Sequence, residues 1–401
     1  MPFSPEESTY AQHYLSRLQV YQPEMIERLA TLVNIDSGSG QIAGINEIMN
    51  YLEQWLRSLG FTVSFHPTEP FGNNLLAHYK GSGGPRILLV GHVDTVYGPG
   101  SARQRPFDIQ DGLAYGPGVI DMKSGVIMGI YALRVLLEAN FDAFGEIYVV
   151  FNNDEEVGSA GSTTLLRDIA HQVDYGLVLE PSHAMENVTH TRKGADKYIL
   201  EVRGISAHSG ADPQNGRSAV IELAHKMIAI HNLNALLRGA TFNVTRLSST
   251  EPLNIIPDMA RCHVSVRAFT QQRLDKAASM LEQIAAGCSV PDTHTTLSRT
   301  PGRRPYQATQ EVLELVSMAQ AEGRALGITI QPESRGGVSD ANLLMEAGIP
   351  TLDSLGPIGG NMHNLEHEHL RVESLAQRGA LLAGIIQHLC LAKLTGENPS
   401  L

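Results

Sequence analysis

The chain has 401 residues, 42% of them hydrophobic and 18% charged, with 30 basic against 42 acidic side chains. That length suggests two or three domains at about 100–200 residues each, and the ordinary apolar content excludes a chain disordered throughout. A formal net charge of −12 leaves no basic excess for a phosphate backbone or an anionic lipid surface, so neither nucleic acid nor membrane is expected as a partner.

The first clear helix runs from Ile45 to Leu59, where Ile45, Ile48, Met49, Leu52, Leu56 and Leu59 keep one face apolar and Gly60 supplies the stop. Phe61–Phe65 and Asn74–Tyr79 read as strands, and Arg86–Val90 as a strand buried on both faces. A helix over Ser124–Glu138 leads to a strand over Glu146–Phe151, then a helix over Ser162–His171 and a strand over Tyr175–Leu179. Strands alternating with helices predict an α/β layer with a largely parallel sheet.

From about Lys197 the pattern changes. Tyr198–Val202, Phe242–Leu247, Arg261–Arg267 and His294–Ser298 alternate as half-exposed strands, with helices over Ser218–Ile230 and Gln272–Ala285. That grammar predicts a small α+β domain, a sheet with helices on one face. After Pro305 the α/β pattern returns, with helices over Gln310–Leu326, Asp340–Ala347 and Val372–Leu391 and strands over Ile328–Ile330 and Pro350–Leu355. The expected organisation is an α/β domain in two parts, 1–193 and 306–401, interrupted by an inserted α+β domain over 194–305.

Three scattered cysteines, Cys262, Cys288 and Cys390, form no C-x-x-C pair. Their spacing fits a reducing compartment and excludes a thiolate zinc site. The segment Met1–Glu7 has neither a basic nor an apolar signal region, and no apolar run reaches the ~20 residues of a spanning helix. The expected compartment is the cytoplasm.

Polar residues appear abruptly where three apolar strands end: Gly91-His92-Val93-Asp94, Asn152-Asn153-Asp154-Glu155-Glu156 and Glu180-Pro181. The carboxyl ends of strands in an open α/β sheet are where such folds bind ligands. Residues two apart on a strand share a face, so Asp94 can hold the imidazole nitrogen that His92 does not give to a metal. Adjacent Glu155 and Glu156 repel unless a cation or proton intervenes, and a division of labour accounts for both: one carboxylate binds metal while its neighbour handles protons. Asp121 lies in a Gly-rich turn opening the Ser124–Glu138 helix. In the C-terminal part His363, His367 and His369 are all ligand candidates, the latter two reading better as surface loop. Two histidines and three carboxylates without a thiolate suit a pair of Zn²⁺, Co²⁺ or Mn²⁺ ions sharing one carboxylate. No G-x-S-x-G elbow and no phosphate-binding G-x-x-x-x-G-K-[ST] loop occurs.

From about Leu29 to Leu391 these motifs, in this order, resemble the di-zinc aminoacylase/carboxypeptidase family of metallopeptidases. That family includes glutamate carboxypeptidases, acetylornithine deacetylase and succinyl-diaminopimelate desuccinylase, the first being the nearest branch. The resemblance implies a zinc-peptidase-like mixed sheet flanked by helices, with an inserted ferredoxin-like lid and dimerisation domain. It implies His92 and Glu180 on one zinc, Glu156 and His363 on the other, and Asp121 bridging both with a cis peptide after it. Asp94 would orient His92, and Glu155 would be the general base. Glu368 stands at the family's usual distance beyond His363. His208, in Gly204-Ile205-Ser206-Ala207-His208-Ser209-Gly210, would stabilise the oxyanion in the partner subunit's active site. Asn254, Arg267 and Arg304 would grip a substrate carboxylate, which an arginine fork can bind bidentately. The implied reaction is amide hydrolysis of a short peptide or N-acyl amino acid with a free carboxylate, in a homodimer. A small-acyl deacylase of the acetylornithine deacetylase type and an inactive binding homologue are the alternatives.

Overall fold

A computed structural model of the chain describes residues 10–182, 186–249 and 253–395. The Met1–Glu7 segment read above for targeting signals lies outside the described residues. Two compact units result: Met1–His190, Ala308–Ser334 and Ser339–Leu401 form the first, Thr191–Gln307 and Arg335–Val338 the second.

Among the described residues, unit one is built on a six-stranded mixed sheet. Its spatial order is Thr62–Thr68, Gly72–Lys80, Glu146–Asn152, Arg86–His92, Tyr175–Val178 and Thr351–Leu352. The last four are parallel to one another; Gly72–Lys80 runs antiparallel to them, and Thr62–Thr68, its hairpin partner, runs in their direction again at the sheet edge. Arg86–His92 comes first in the chain among those four strands but lies between Glu146–Asn152 and Tyr175–Val178, so strand order reverses beside it. Ligands bind at such a switch point, outside the carboxyl ends of the strands. His92 ends one flanking strand, and Glu180 follows the other.

The helices Tyr10–Val33, Ser124–Glu138, Gln310–Ala325 and Ser374–Thr395 pack together around one apolar cluster that includes Leu18, Leu29, Ile127, Met128, Leu315 and Leu381. The last helix is long and apolar enough to cross a membrane by composition, but 78% of its apolar window is buried inside unit one. It is a core helix. A second, smaller sheet joins Gly359–Gly360, His369–Arg371, Leu113–Tyr115 and Asp108–Gln110.

Several elements differ from the sequence reading, which expected neither the four strands of the smaller sheet nor the strand Asn187–Arg192. The helix Tyr10–Val33 was not expected; it continues through Pro23, and Tyr14, Leu18, Met25, Leu29 and Leu32 bury its inner face. The strand expected at Ile328–Ile330 begins instead at Gln331. There Gly327 takes φ +74° and the Ile328 N–H donates to Gly323 O, a helix-ending Schellman turn that uses up the residues. The strand expected over Pro350–Leu355 is only Thr351–Leu352, because Ser354 adopts φ +60° and breaks the extended run.

Unit two follows the order strand, helix, strand, strand, helix, strand. Gly194–Arg203, Ala219–Leu236, Ala240–Ser249, Met259–Ala268, Gln271–Ala286 and His294–Pro301 are its elements. Numbering its strands by chain order, the antiparallel sheet runs 4-1-3-2, the ferredoxin-like arrangement. Ser218 and Thr270 cap the two helices by accepting the N–H groups of Ile221 and Arg273. Its core is separate, with Tyr198, Leu200, Cys262, Val264, Leu274 and Leu281 among its members.

Candidate metal centre

His92 is delivered by the carboxyl end of its strand and is 1% exposed. Its Nδ1 lies 3.0 Å from the Asp94 backbone carbonyl and 3.4 Å from Asp94 Oδ1. Those acceptors put the ring proton on Nδ1 and leave Nε2 as the ligand atom, the arrangement metal-binding histidines adopt. Nε2 points at Asp121 Oδ1, 3.3 Å away, and Glu180 Oε1, 3.8 Å away. The expected Asp94 contact is therefore present, but its shorter component is the main chain, since Asp94 lies past the strand end at His92.

Asp121 sits in a one-turn segment, Val119–Lys123, whose φ and ψ leave the helical region at Asp121 and Met122. The Asp121–Met122 peptide is cis. Gly118, at φ +71°, lets this segment turn where a Cβ would meet Thr95 Cγ2 at 2.6 Å. While one Asp121 oxygen faces His92, the other lies 3.2 Å from His363 Nε2. The same His363 nitrogen is 3.4 Å from Glu156 Oε2. His363 has a left-handed backbone, φ +65°, which is uncommon for a residue with a Cβ.

Glu155 and Glu156 open a single 3₁₀ turn after the Glu146–Asn152 strand. Asp94 holds that turn: its Oδ1 accepts the Glu155 N–H at 3.1 Å, and its Oδ2 accepts the Glu156 N–H at 3.2 Å and the Ser39 hydroxyl at 2.6 Å. Beneath it, Asp154 accepts Gly161 N–H and the Ser162 hydroxyl, and Asp340 accepts the Ser159 hydroxyl and the Asn152 amide, all at 2.6 Å. Single atoms of His92, Glu155 and Glu180, and likewise of His92, Asp121 and Glu156, lie within 4.8 Å of one another.

The electrostatics of this cluster are those of acids crowded together with two imidazoles. Burial opposes ionisation of Asp121, but His363 and His92 hold its carboxyl well below the usual range. Burial first, then the Asp121 charge, push Glu180 well above it. Burial and Asp121 also raise Glu156, although His363 partly offsets them. Burial works against a charged His92 ring, yet Asp121 and Asp94 raise its pKa well above the ordinary value. Hydrogen bonds to Asp121 and Glu156 raise His363 to about 10. Buried carboxylates at this density need cations among them, and the donor set of imidazole and carboxylate fits a borderline divalent ion.

The other expected residues fall elsewhere. His367 is exposed, and His369 turns its Nδ1 to the His367 carbonyl at 2.9 Å, so neither joins the cluster. His208, Asn254, Arg267 and Arg304 belong to unit two. His208 Nδ1 accepts the N–H groups of Gly210 and Ala211 at 3.1 and 3.0 Å, so its ring proton is on Nε2. Arg267 spends one nitrogen on Gly336 O, 3.1 Å away. Sequence reasoning missed Tyr97 and Ser39 and gave Glu368 no task. The Tyr97 hydroxyl donates to Glu368, whose other oxygen accepts the N–H groups of Ile120 and Asp121. Burial raises the Glu368 carboxyl to about 7.

Two histidines around one carboxylate at the carboxyl ends of an α/β sheet form a donor set suited to divalent metal ions. Residues 88–388 match the model of peptidase family M20/M25/M40. The chain belongs to this metallopeptidase family. Among its relatives, carboxypeptidase G2 of Pseudomonas sp. strain RS-16 is 33% identical over 376 residues, covering 93% of this chain and 91% of that one. The crystal structure of aminopeptidase PepT from Bacillus cereus shares the fold with a TM-score of 0.78 at 24% identity, over 92% of this chain and 98% of that one. The Bacillus subtilis YXEP protein, a dinuclear metal-binding peptidase, does so with a TM-score of 0.67 at 18% identity, over 92% and 99%.

Proposed function

We propose that this metallopeptidase removes the C-terminal amino acid from a short peptide or N-acyl amino acid bearing a free carboxylate, using two divalent ions. The observation that carries the reading is the splitting of Asp121 between His92 and His363, at 3.3 and 3.2 Å, the posture of a carboxylate shared by two ions. His92 and Glu180 would complete one site, Glu156 and His363 the other. The dinuclear centre of the Bacillus subtilis relative supports this, and the ligand chemistry favours Zn²⁺, with Co²⁺ or Mn²⁺ able to replace it.

When bound, such ions lower the pKa of water and polarise the scissile carbonyl. Glu155, outside both ligand sets, takes the proton from the attacking water and delivers it to the departing nitrogen. Asp94 keeps that base in place through the Glu155 and Glu156 N–H groups. His208, with its proton on Nε2, is assigned to the developing oxyanion in the partner subunit's active site, on the resemblance stated above. Asn254, Arg267 and Arg304 are assigned to the substrate carboxylate, on the resemblance stated above. The 33% identity to carboxypeptidase G2 favours C-terminal cleavage over deacylation. A homodimer in the cytoplasm is the setting these readings imply.

A hydrolysis screen over peptides, C-terminal glutamyl conjugates and N-acetyl amino acids, with Zn²⁺, Co²⁺ or Mn²⁺ added, tests the reading. Release of a C-terminal residue is expected. Glu155→Ala should lower kcat by about 10²–10⁴ while the protein still binds two ions. Turnover unchanged by that substitution would refute the assigned base.

A further inference from the structure

Glu368 is 1% exposed, and each of its two carboxylate oxygens has work. Oε1 accepts the main-chain N–H groups of Ile120 at 3.1 Å and Asp121 at 3.3 Å. Oε2 accepts the hydroxyl of Tyr97. Its own N–H donates to the Asn364 carbonyl at 2.7 Å, closing the turn that follows His363. A single residue thus ties together the segment after His92 and Asp94 and the Asp121 turn through its side chain, and the His363 loop through its main chain.

The Ile120 and Asp121 N–H groups sit where the backbone leaves helical geometry. A neutral side chain could satisfy them. A carboxylate instead adds another negative charge beside Asp121, which the buried Lys123 ammonium offsets only in part because burial disfavours its own charge. An acid at this position is therefore explained by the ion pair it helps to build better than by capping alone.

Resting on the two-ion reading, we propose that Glu368, braced by Tyr97, is a positioning residue that sets the Asp121 backbone so that its carboxylate faces His92 and His363 together, coupling the two ion sites. It touches neither substrate nor the reacting atoms. Its effect runs through Asp121.

The test compares wild type, Glu368→Gln, Tyr97→Phe and the double variant. Ion stoichiometry and affinity are measured by titrating metal-stripped protein with Zn²⁺ or Co²⁺, and kcat and KM are measured separately on a substrate from the screen. Glu368→Gln should keep one tight ion and bind the second about 10–100-fold more weakly. Its kcat should fall at low metal with KM little changed, and excess metal should restore it. Tyr97→Phe should shift the second ion in the same direction by less, and the double variant should be no worse than Glu368→Gln, since both act along one path. Two ions at wild-type affinity in Glu368→Gln overturn the proposal, as does lost thermal stability with ion affinity unchanged. Should Glu368→Gln not fold, wild-type affinity in Tyr97→Phe overturns it. A wild-type protein holding fewer than two ions overturns the two-ion reading itself.

Discussion

Asp94 divides its carboxylate between the Glu155 and Glu156 N–H groups and the Ser39 hydroxyl, while its main chain fixes the His92 ring. An amide offers only one acceptor oxygen. Asp94→Asn should therefore release one glutamate N–H and lower metal affinity or kcat about 10–100-fold, with the circular dichroism spectrum unchanged; wild-type kinetics would show that the turn holds itself. His363 supplies a pH prediction. Its pKa rises from 6.5 to about 10 in the metal-free fold, so the stability it contributes is full below pH 6.5 and is lost as pH climbs through about 10. Raised Glu156 and Glu180 act with the same sign, and the depressed Asp121 acts only in acid. Metal-free protein should melt at lower temperature as pH rises from 7 to 10, and proton release on Zn²⁺ addition should shrink over that window. A flat melting profile would count against protons occupying the ligand cluster. Much of this site was legible in the sequence, because strand ends and adjacent glutamates are local patterns. The task of Glu368 and the part of Tyr97 escaped because the two meet across 271 positions, and Ser39 meets Asp94 across 55.

At the scale of elements, unit two holds a buried ion pair that no periodicity announces. Lys226 and Glu222, 3% and 1% exposed, meet at 3.0 Å one turn apart on the same helix. Lys226 donates to the carbonyls of Ile284, Ala285 and Gly287, where the Gln271–Ala286 helix ends. Glu222 accepts the N–H groups of Ser289 and Val290 just beyond. The pair thus joins the two helices of the ferredoxin-like unit. Lys226→Met should leave Glu222 buried without its cation and cost about 3–5 kcal/mol, read by urea denaturation. Adding Glu222→Gln should recover part of that loss, and equal instability in the single and double variants would place the cost in the lost carbonyl contacts instead. The element grammar itself was readable: the βαββαβ order of unit two and the parallel strands of unit one follow from periods of two and 3.6. The misses have local causes. Pro23 disguised a helix whose apolar spacing is regular, and the Schellman turn at Gly327 and the left-handed Ser354 each displaced or shortened a strand that apolar content alone suggested.

For the whole molecule, the decisive feature is that two apolar cores are built separately, while His92, Asp121, Glu155, Glu156, Glu180 and His363 all belong to unit one. An ion that binds only folded protein stabilises the unit that supplies its ligands by RT ln(1 + [L]/Kd), about 2.7 kcal/mol at a hundredfold excess over Kd. Multi-domain chains commonly depart from two-state unfolding. Calorimetry of the metal-stripped protein should therefore resolve two transitions. Added Zn²⁺ should raise one of them by about 5–10 °C, at about 2–4 °C per kcal/mol for a large domain, and leave the other in place. His363→Ala should reduce that shift without moving the metal-independent transition, whereas Lys226→Met should lower only the latter. The two substitutions thus label the transitions independently. One cooperative transition moving as a whole with metal, and falling equally in both variants, would mean that the two cores unfold as one and that ion binding is felt throughout the chain.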